Sequence, residues 1–341
     1  MTAPNTTAIK FLISPNLVAL LILIIFFVAF SIAEFPIKVV WQEYVPNIVM
    51  FCTLGIFAFL FHPPILAKIL SERRMNRLSA VYQLRDILLA FIMFFLFLMF
   101  LQPLVHIVYI WSGHLPYADD VLHQLDSRLG LDWFAYFQWV HDHPRVIPVL
   151  DIAYKSMNIV VPATLALLML FNKPKRAFVL IHGFLATAIA CVAIGAFFPA
   201  LGATAYLIED LSLFPNFQSL PGSYAVASIE NLRTASQEIY LAPSDMPGLI
   251  TFPSFHTAGT IAIAYAFRRT PLEIPMWIYA MVVIASTPVF GGHYLVDVLA
   301  GSVIGFGVCI AIERWMYIRS ATYFLAKSIP EGRHYSSPAT T

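Results

Sequence analysis

Charge is what this chain has least of. Only 11% of its 341 residues are Asp, Glu, Lys or Arg, where a soluble domain carries about a quarter. That scarcity excludes an ordinary water-soluble fold. The charges nearly cancel, at a formal +1, so there is no basic field to attract nucleic acid. Cysteine is scarce too. Cys52, Cys191 and Cys309 all fall in apolar runs, where small buried hydrophobes are expected and no disulfide framework is implied. No segment repeats at a fixed period, and none is of low complexity. The first apolar stretch is too long for a signal-peptide core and lacks a clear small-residue cleavage site, so it is expected to be a span.

What remains is apolar: 60% of the residues are hydrophobic, and the mean hydropathy is +0.78. Eight apolar segments run near 12–33, 46–62, 87–110, 147–171, 177–199, 252–267, 274–291 and 294–316. A crossing takes about 20 residues. The expected fold is all-α, a polytopic membrane bundle of about eight transmembrane helices.

The few cations set the expected orientation. Lys68, Arg73, Arg74, Arg77 and Arg85 lie in the link 63–86. Lys173, Lys175 and Arg176 lie in 172–176, and Arg268 and Arg269 in 268–273. Arg319, Lys327 and Arg333 lie in the tail. Eight spans put all of these, with Lys10, on one side. Lys38, Arg128, Arg145 and Arg233 fall on the other. Basic loops stay in the cytoplasm, so both termini are expected there, in a multi-pass protein of the cell or inner membrane.

Two outer loops are long. In 111–146 Val121, Leu122, Leu125, Leu129 and Leu131 share a helical stripe with acids opposite, and with the aromatics Trp133, Phe134, Tyr136, Phe137 and Trp139 they read as an amphipathic helix lying on the outer membrane surface. The alternative is a loop helix packed on the bundle. The loop 200–250 is rich in proline and glycine and ends at the next motif, so it can cover or shape a site there.

The chemistry-bearing stretch is 251–301. His256 in P-S-F-H and His293 in G-G-H-Y-L-V-D are 37 residues apart, enough to cross, turn and cross back, so both should emerge on the outer face. Pro253 suits the first turn of a helix, and Thr251 or Ser254 its cap. Asp297 follows His293 by four residues, one helical turn on. It could accept the Nδ1 proton and leave Nε2 free as a nucleophile. His256 could then act as general acid and base. Helix starts attract phosphate, and Gly291 and Gly292 allow close backbone approach. Two His and a carboxylate also suit zinc or iron, but no fourth ligand is evident. No metal and no cofactor are expected.

P-S-F-H-T-A and G-G-H-Y-L-V-D-V-L-A-G resemble signature motifs of the PAP2 (type 2 phosphatidic acid phosphatase) superfamily. The resemblance implies a six-helix core and a phosphohistidine intermediate. By motif position it makes His293 the nucleophile, Asp297 its partner and His256 the acid/base. Two family cations are missing. Ser286 is followed by Thr287 instead of arginine, and no lysine stands six residues before an Arg-Pro pair. That pattern resembles the inositol phosphorylceramide synthase branch, which moves a phosphoryl headgroup between a lipid and an alcohol. A lipid phosphate phosphatase is the alternative, and a transporter of an amphipathic molecule a third. The implied partners are a phospholipid or polyprenyl phosphate, an alcohol acceptor and the bilayer.

Lys155, inside the fourth apolar segment, is the candidate for the missing positive charge, since charges within spans are costly. Asp151, four residues earlier, could instead pair with it. Ser254, Gly292 and Ser286 complete the candidate substrate-binding set. Tyr154 and Asn158 add polarity nearby, and Arg145 and Arg233 are weaker cation candidates. His182 is expected to be a packing residue, and Gly301, Gly305 and Gly307 a close-packing seam. The expected division is two N-terminal helices with a basic link (1–86), a catalytic membrane domain (87–320) and a tail (321–341).

Overall fold

The computed structural model describes residues 37–60, 79–234, 239–241 and 248–328. The apolar segment near 12–33, Lys10, most of the basic link 63–86 and the end of the tail lie outside the described residues. The chain is mostly helical. A short strand, β1 (Ile37–Val39), leads into α1 (Trp41–Leu60) and then α2 (Ser79–Trp111). Two short helices follow, α3 (Asp119–Arg128) and α4 (Trp133–Asp142), and then two long ones, α5 (Val146–Leu170) and α6 (Pro174–Gly195). The second long loop holds α7 (Ala203–Leu207), α8 (Val226–Thr234) and β2 (Ile239–Leu241). The chain then forms α9 (Phe255–Ala266), α10 (Glu273–Phe290) and α11 (Leu295–Ser328). β1 pairs in parallel with β2, Ile37 opposite Ile239.

Among the described residues, five segments are long and apolar enough to cross a membrane: Arg85–His114, Val146–Leu170, Pro174–Gly195, Glu273–Phe290 and Leu295–Met316. The sixth apolar segment falls short. Its helix α9 has 12 residues, about 18 Å at 1.5 Å per residue, against a hydrocarbon core of about 30 Å. It is instead the bundle's centre, with every residue from Thr257 to Ala266 buried. α6, α10 and α11 surround it. The approach of α11 depends on two glycines. A Cβ at Gly301 would collide with the Ser254 carbonyl, and one at Gly305 would lie 2.9 Å from the Ala258 carbonyl oxygen. Gly307 meets nothing within 4 Å, so the expected seam has two members. Cys191 and Cys309 are buried, whereas Cys52 is exposed on α1.

The first outer loop packs on the bundle. It forms two helices folded onto the end of the bundle. Leu122, Trp133 and Phe137 are buried with Phe214 and Tyr294 in one cluster, while Val121 and Leu129 are exposed. The leucines therefore do not share one buried stripe. Burying the large rings against protein satisfies their apolar area, and Trp133 Nε1 finds two carbonyls there. At the opposite end the basic links meet α11: Arg268 and Arg176 approach Glu313 at 3.2 and 3.7 Å, and the Tyr265 hydroxyl donates to it at 2.6 Å. His182 stacks on Phe178, with ring centroids 3.7 Å apart, as a packing residue would.

Candidate active site

The starts of α9 and α11 come together at the loop end of the bundle. The Ser254 N–H donates to the Asp297 carbonyl at 3.1 Å, tying one helix start to the other. Ser254 is the N-cap of α9, its hydroxyl accepting from the Thr257 N–H at 3.4 Å. That hydroxyl is fully buried, so the cap is its visible task. Pro253 lies just before the cap rather than in the first turn. Thr251 donates its hydroxyl to the Ala200 carbonyl.

His293 sits in the elbow between α10 and α11, two residues before the helix begins, and is 3% exposed. Its Nδ1 lies 2.7 Å from the Thr251 carbonyl oxygen and 3.4 Å from Asp297 Oδ2. A carbonyl can only accept, so Nδ1 carries the proton and Nε2 keeps its lone pair. The expected partner Asp297 is thus present but longer, and the shorter bond goes to backbone. Asp297 is wholly buried and also accepts from the Tyr294 N–H at 2.9 Å. Its Oδ1 has no hydrogen-bond partner among the described residues.

The elbow is shaped by glycine. Gly292 has φ +65° and its carbonyl accepts from the Ala203 N–H at 2.7 Å. A Cβ at Gly291 would lie 2.5 Å from His293 Cδ2 and 2.8 Å from the Thr287 carbonyl oxygen, so only glycine leaves the imidazole edge uncrowded. Gly222, with φ +73°, packs its backbone on Gly292.

Residues of the first outer loop, none of them a site candidate from the sequence, hold this elbow. The Asp126 carboxylate accepts from the N–H groups of Leu295 and Val296 at 2.9 and 2.7 Å. Burial raises the pKa of its carboxyl, against the pull of those two donors. Asp119 accepts from the N–H groups of Leu201 and Gly202 and from the Tyr294 hydroxyl. Trp133 Nε1 donates to the carbonyls of His293 and Pro288 at 2.9 and 3.2 Å. The amides at the head of α11 are therefore already met by Asp126. A signal was available in the sequence: two acids that end up buried stand in a chain that has few charges.

His256 occupies the first turn of α9 and lines a cavity of about 1360 Å³. Its ring stacks on Tyr154, centroids 4.0 Å apart and 18° from parallel. The Tyr154 hydroxyl meets that of Tyr224 at 2.8 Å. Lys155 and Asp151 line the same cavity and pair at 2.7 Å, with the lysine side chain 71% exposed. Asn158 lines it also. Ser286 and Thr287 are buried and return their hydroxyls to carbonyls of their own helix, Val283 and Ile284. Arg233 is taken up by the carbonyls of Ser112 and Leu115 and by the ring of Tyr117. Among the described residues, no group of three or more His, Cys, Asp or Glu could hold a metal ion.

The sequence model of the PAP2 superfamily matches residues 120–311, more than half of the chain, and takes in His256, His293 and Asp297. The chain belongs to the PAP2 superfamily. No curated protein and no solved structure matches it. Superfamily members are phosphatases and phosphotransferases, so this chain is a membrane enzyme of that type. The PAP2 match contains α4 to α10, most of α3 and the first half of α11. β1, α1 and α2 precede it.

Proposed function

We propose that this enzyme transfers a phosphoryl group from a lipid phosphoester to an alcohol through a phosphohistidine on His293. The observation that carries the reading is the His293 ring, its Nδ1 proton held 2.7 Å from the Thr251 carbonyl. The Nε2 lone pair attacks phosphorus. The bond to the leaving oxygen breaks, and the protonated imidazole of His256 supplies that oxygen with a proton. Asp297 stabilises the positive charge that develops on the His293 ring. In the second half-reaction His256 takes the proton of the incoming hydroxyl, whose oxygen displaces His293. The first turn of α9 supplies a helix start for the phosphate, and Lys155 a nearby cation.

The absence of arginine at 287 and of the family's first motif supports transfer, as in the inositol phosphorylceramide synthase branch, over simple hydrolysis. The six-helix core would be α2, α5, α6, α9, α10 and α11, of which α9 is the short central helix and the other five are long enough to span. The separation of ends supports placing the site outside and both termini in the cytoplasm. Arg176 from 172–176 and Arg268 from 268–273 meet at Glu313, away from the histidines. The test is incubation of the purified protein with phospholipids and polyprenyl phosphates, with and without an added alcohol. Transfer gives a phosphorylated alcohol. Release of inorganic phosphate regardless of the alcohol assigns a phosphatase. Turnover of none of the donors removes the reading.

A further inference from the structure

The family match begins at residue 120, yet much of the cavity wall comes from residues before that point. Asn47, Met50 and Phe51 come from α1, and Phe95, Leu98 and Met99 from α2. His256 and Met157, from the matched part, line the same cavity. Tyr44 and Gln102 line it from the same two helices; Asn47 and Gln102 apart, these side chains are apolar or aromatic, and none is charged. Methionine adds an adaptable surface that suits a flexible guest.

Depth says what guest this is. Phe95 stands 16 residues from the end of α2 at Trp111, about 24 Å along the helix at 1.5 Å per residue. One leaflet with its headgroups is about 20–22 Å, half of the full bilayer. The cavity therefore reaches from the loops, where Gln218 and Gly222 line it, to a depth of about one leaflet. Its 1360 Å³ exceeds the roughly 300–1,000 Å³ of a usual small-molecule site, so a phosphate headgroup would fill only its mouth. Met50 and Phe95, both on the cavity wall, are 48% and 36% exposed.

Resting on the lipid-phosphoester reading, we propose that α1 and α2 add an acyl-chain slot to the family's catalytic core. The phosphoester sits at His256, one acyl chain runs down to Phe95, and the α1 and α2 side chains set the chain accepted. The substrate is then a long-chain glycerophospholipid drawn from the bilayer.

Two measurements test this. In the first, Leu98→Trp and Met50→Trp are compared with wild type on dihexanoyl and dipalmitoyl phosphatidic acid. Filling the slot should lower the long-to-short ratio of kcat/KM about tenfold or more, the scale on which apolar pockets discriminate chain length. An unchanged ratio in both variants overturns the proposal. In the second, phosphatidic acid with a diazirine at the chain end is photolysed with wild type and with His293→Ala, where no turnover is needed. Cross-links should fall on peptides holding residues 47–51 or 95–99 in both proteins, and an excess of dipalmitoyl phosphatidic acid should compete better than polyprenyl phosphate. Cross-links elsewhere, or better competition by polyprenyl phosphate, overturn it. Cross-links in place without turnover by wild type would remove the catalytic reading and leave the slot.

Discussion

The two histidines of the site live in different surroundings. His293 is almost wholly buried, in an elbow that Thr251, Asp297, Trp133 and Asp126 hold by hydrogen bonds. His256 is only half-buried, stands at the cavity wall and is held by the face of Tyr154. The first arrangement suits a nucleophile, whose lone pair must point one way before substrate arrives. The second suits a group that gives a proton to one oxygen and later takes one from another. The contrast teaches that one half of the site is built for fixed aim and the other for exchange with a guest.

Breaking the fixed half should cost most. His293→Ala should abolish turnover, whereas Asp297→Asn should leave a residue of activity. An orienting group contributes typically 10²–10⁴-fold, and the Thr251 carbonyl still holds the ring. Rates of the two purified variants check this. Gly291→Ala should come close behind. A methyl group there would lie 2.5 Å from His293 Cδ2 and 2.8 Å from the Thr287 carbonyl oxygen, so the ring must move off its aim: kcat should fall by orders of magnitude and the thermal unfolding midpoint should drop with it.

Next in size is the support behind the elbow. Asp126→Ala leaves two helix-start amides without their acceptor. Loss of such a cap costs about 1–2 kcal/mol, to be read as a lower midpoint in thermal unfolding in detergent. The open half should be gentler to disturb. Tyr154→Leu removes the ring under His256 and should lower kcat roughly tenfold, in line with about 1–2 kcal/mol for a partly desolvated ring–cation contact. Tyr154→Phe keeps the ring and should recover most of the rate. Equal losses in both variants would point to the hydroxyl contact with Tyr224 instead.

The smallest effect concerns Lys155. Its pair with Asp151 is largely exposed, and such pairs contribute about 0–1 kcal/mol to stability. Lys155→Met should therefore leave folding intact. If the lysine serves phosphate, it lowers catalysis, and Lys155→Arg retains part of the rate. Wild-type activity in the double change Asp151→Asn with Lys155→Met would show that the pair is only structural.

How much of this was legible in the sequence follows from the physics of each signal. Scarce charge and long apolar runs gave the helical membrane character. The spacing of P-S-F-H and G-G-H-Y-L-V-D brought His256, His293 and Asp297 to one end. What was hidden came from long-range contact. A carbonyl leaves no mark in a sequence, so the closest partner of His293, Thr251, could be read only as a possible cap. The tasks of Asp119 and Asp126 were hidden because helical periodicity places acids opposite an apolar stripe but cannot tell water from the backbone of a distant loop. The rings of 133–139 read as a membrane belt because amphipathic aromatics suit both an interface and a core, and Trp133 and Phe137 found the core. The shortness of α9 was masked because flanking apolar residues lengthened its segment.

The central claim is that His293 becomes covalently phosphorylated. It is tested most directly by mixing the enzyme with a lipid carrying a radiolabelled phosphate, denaturing at alkaline pH and mapping the label by peptide mass. The account predicts label on His293 in wild type, more of it in His256→Ala, where the second half-reaction lacks its base, and none in His293→Ala. Turnover without label on His293, or label on another residue, would contradict it.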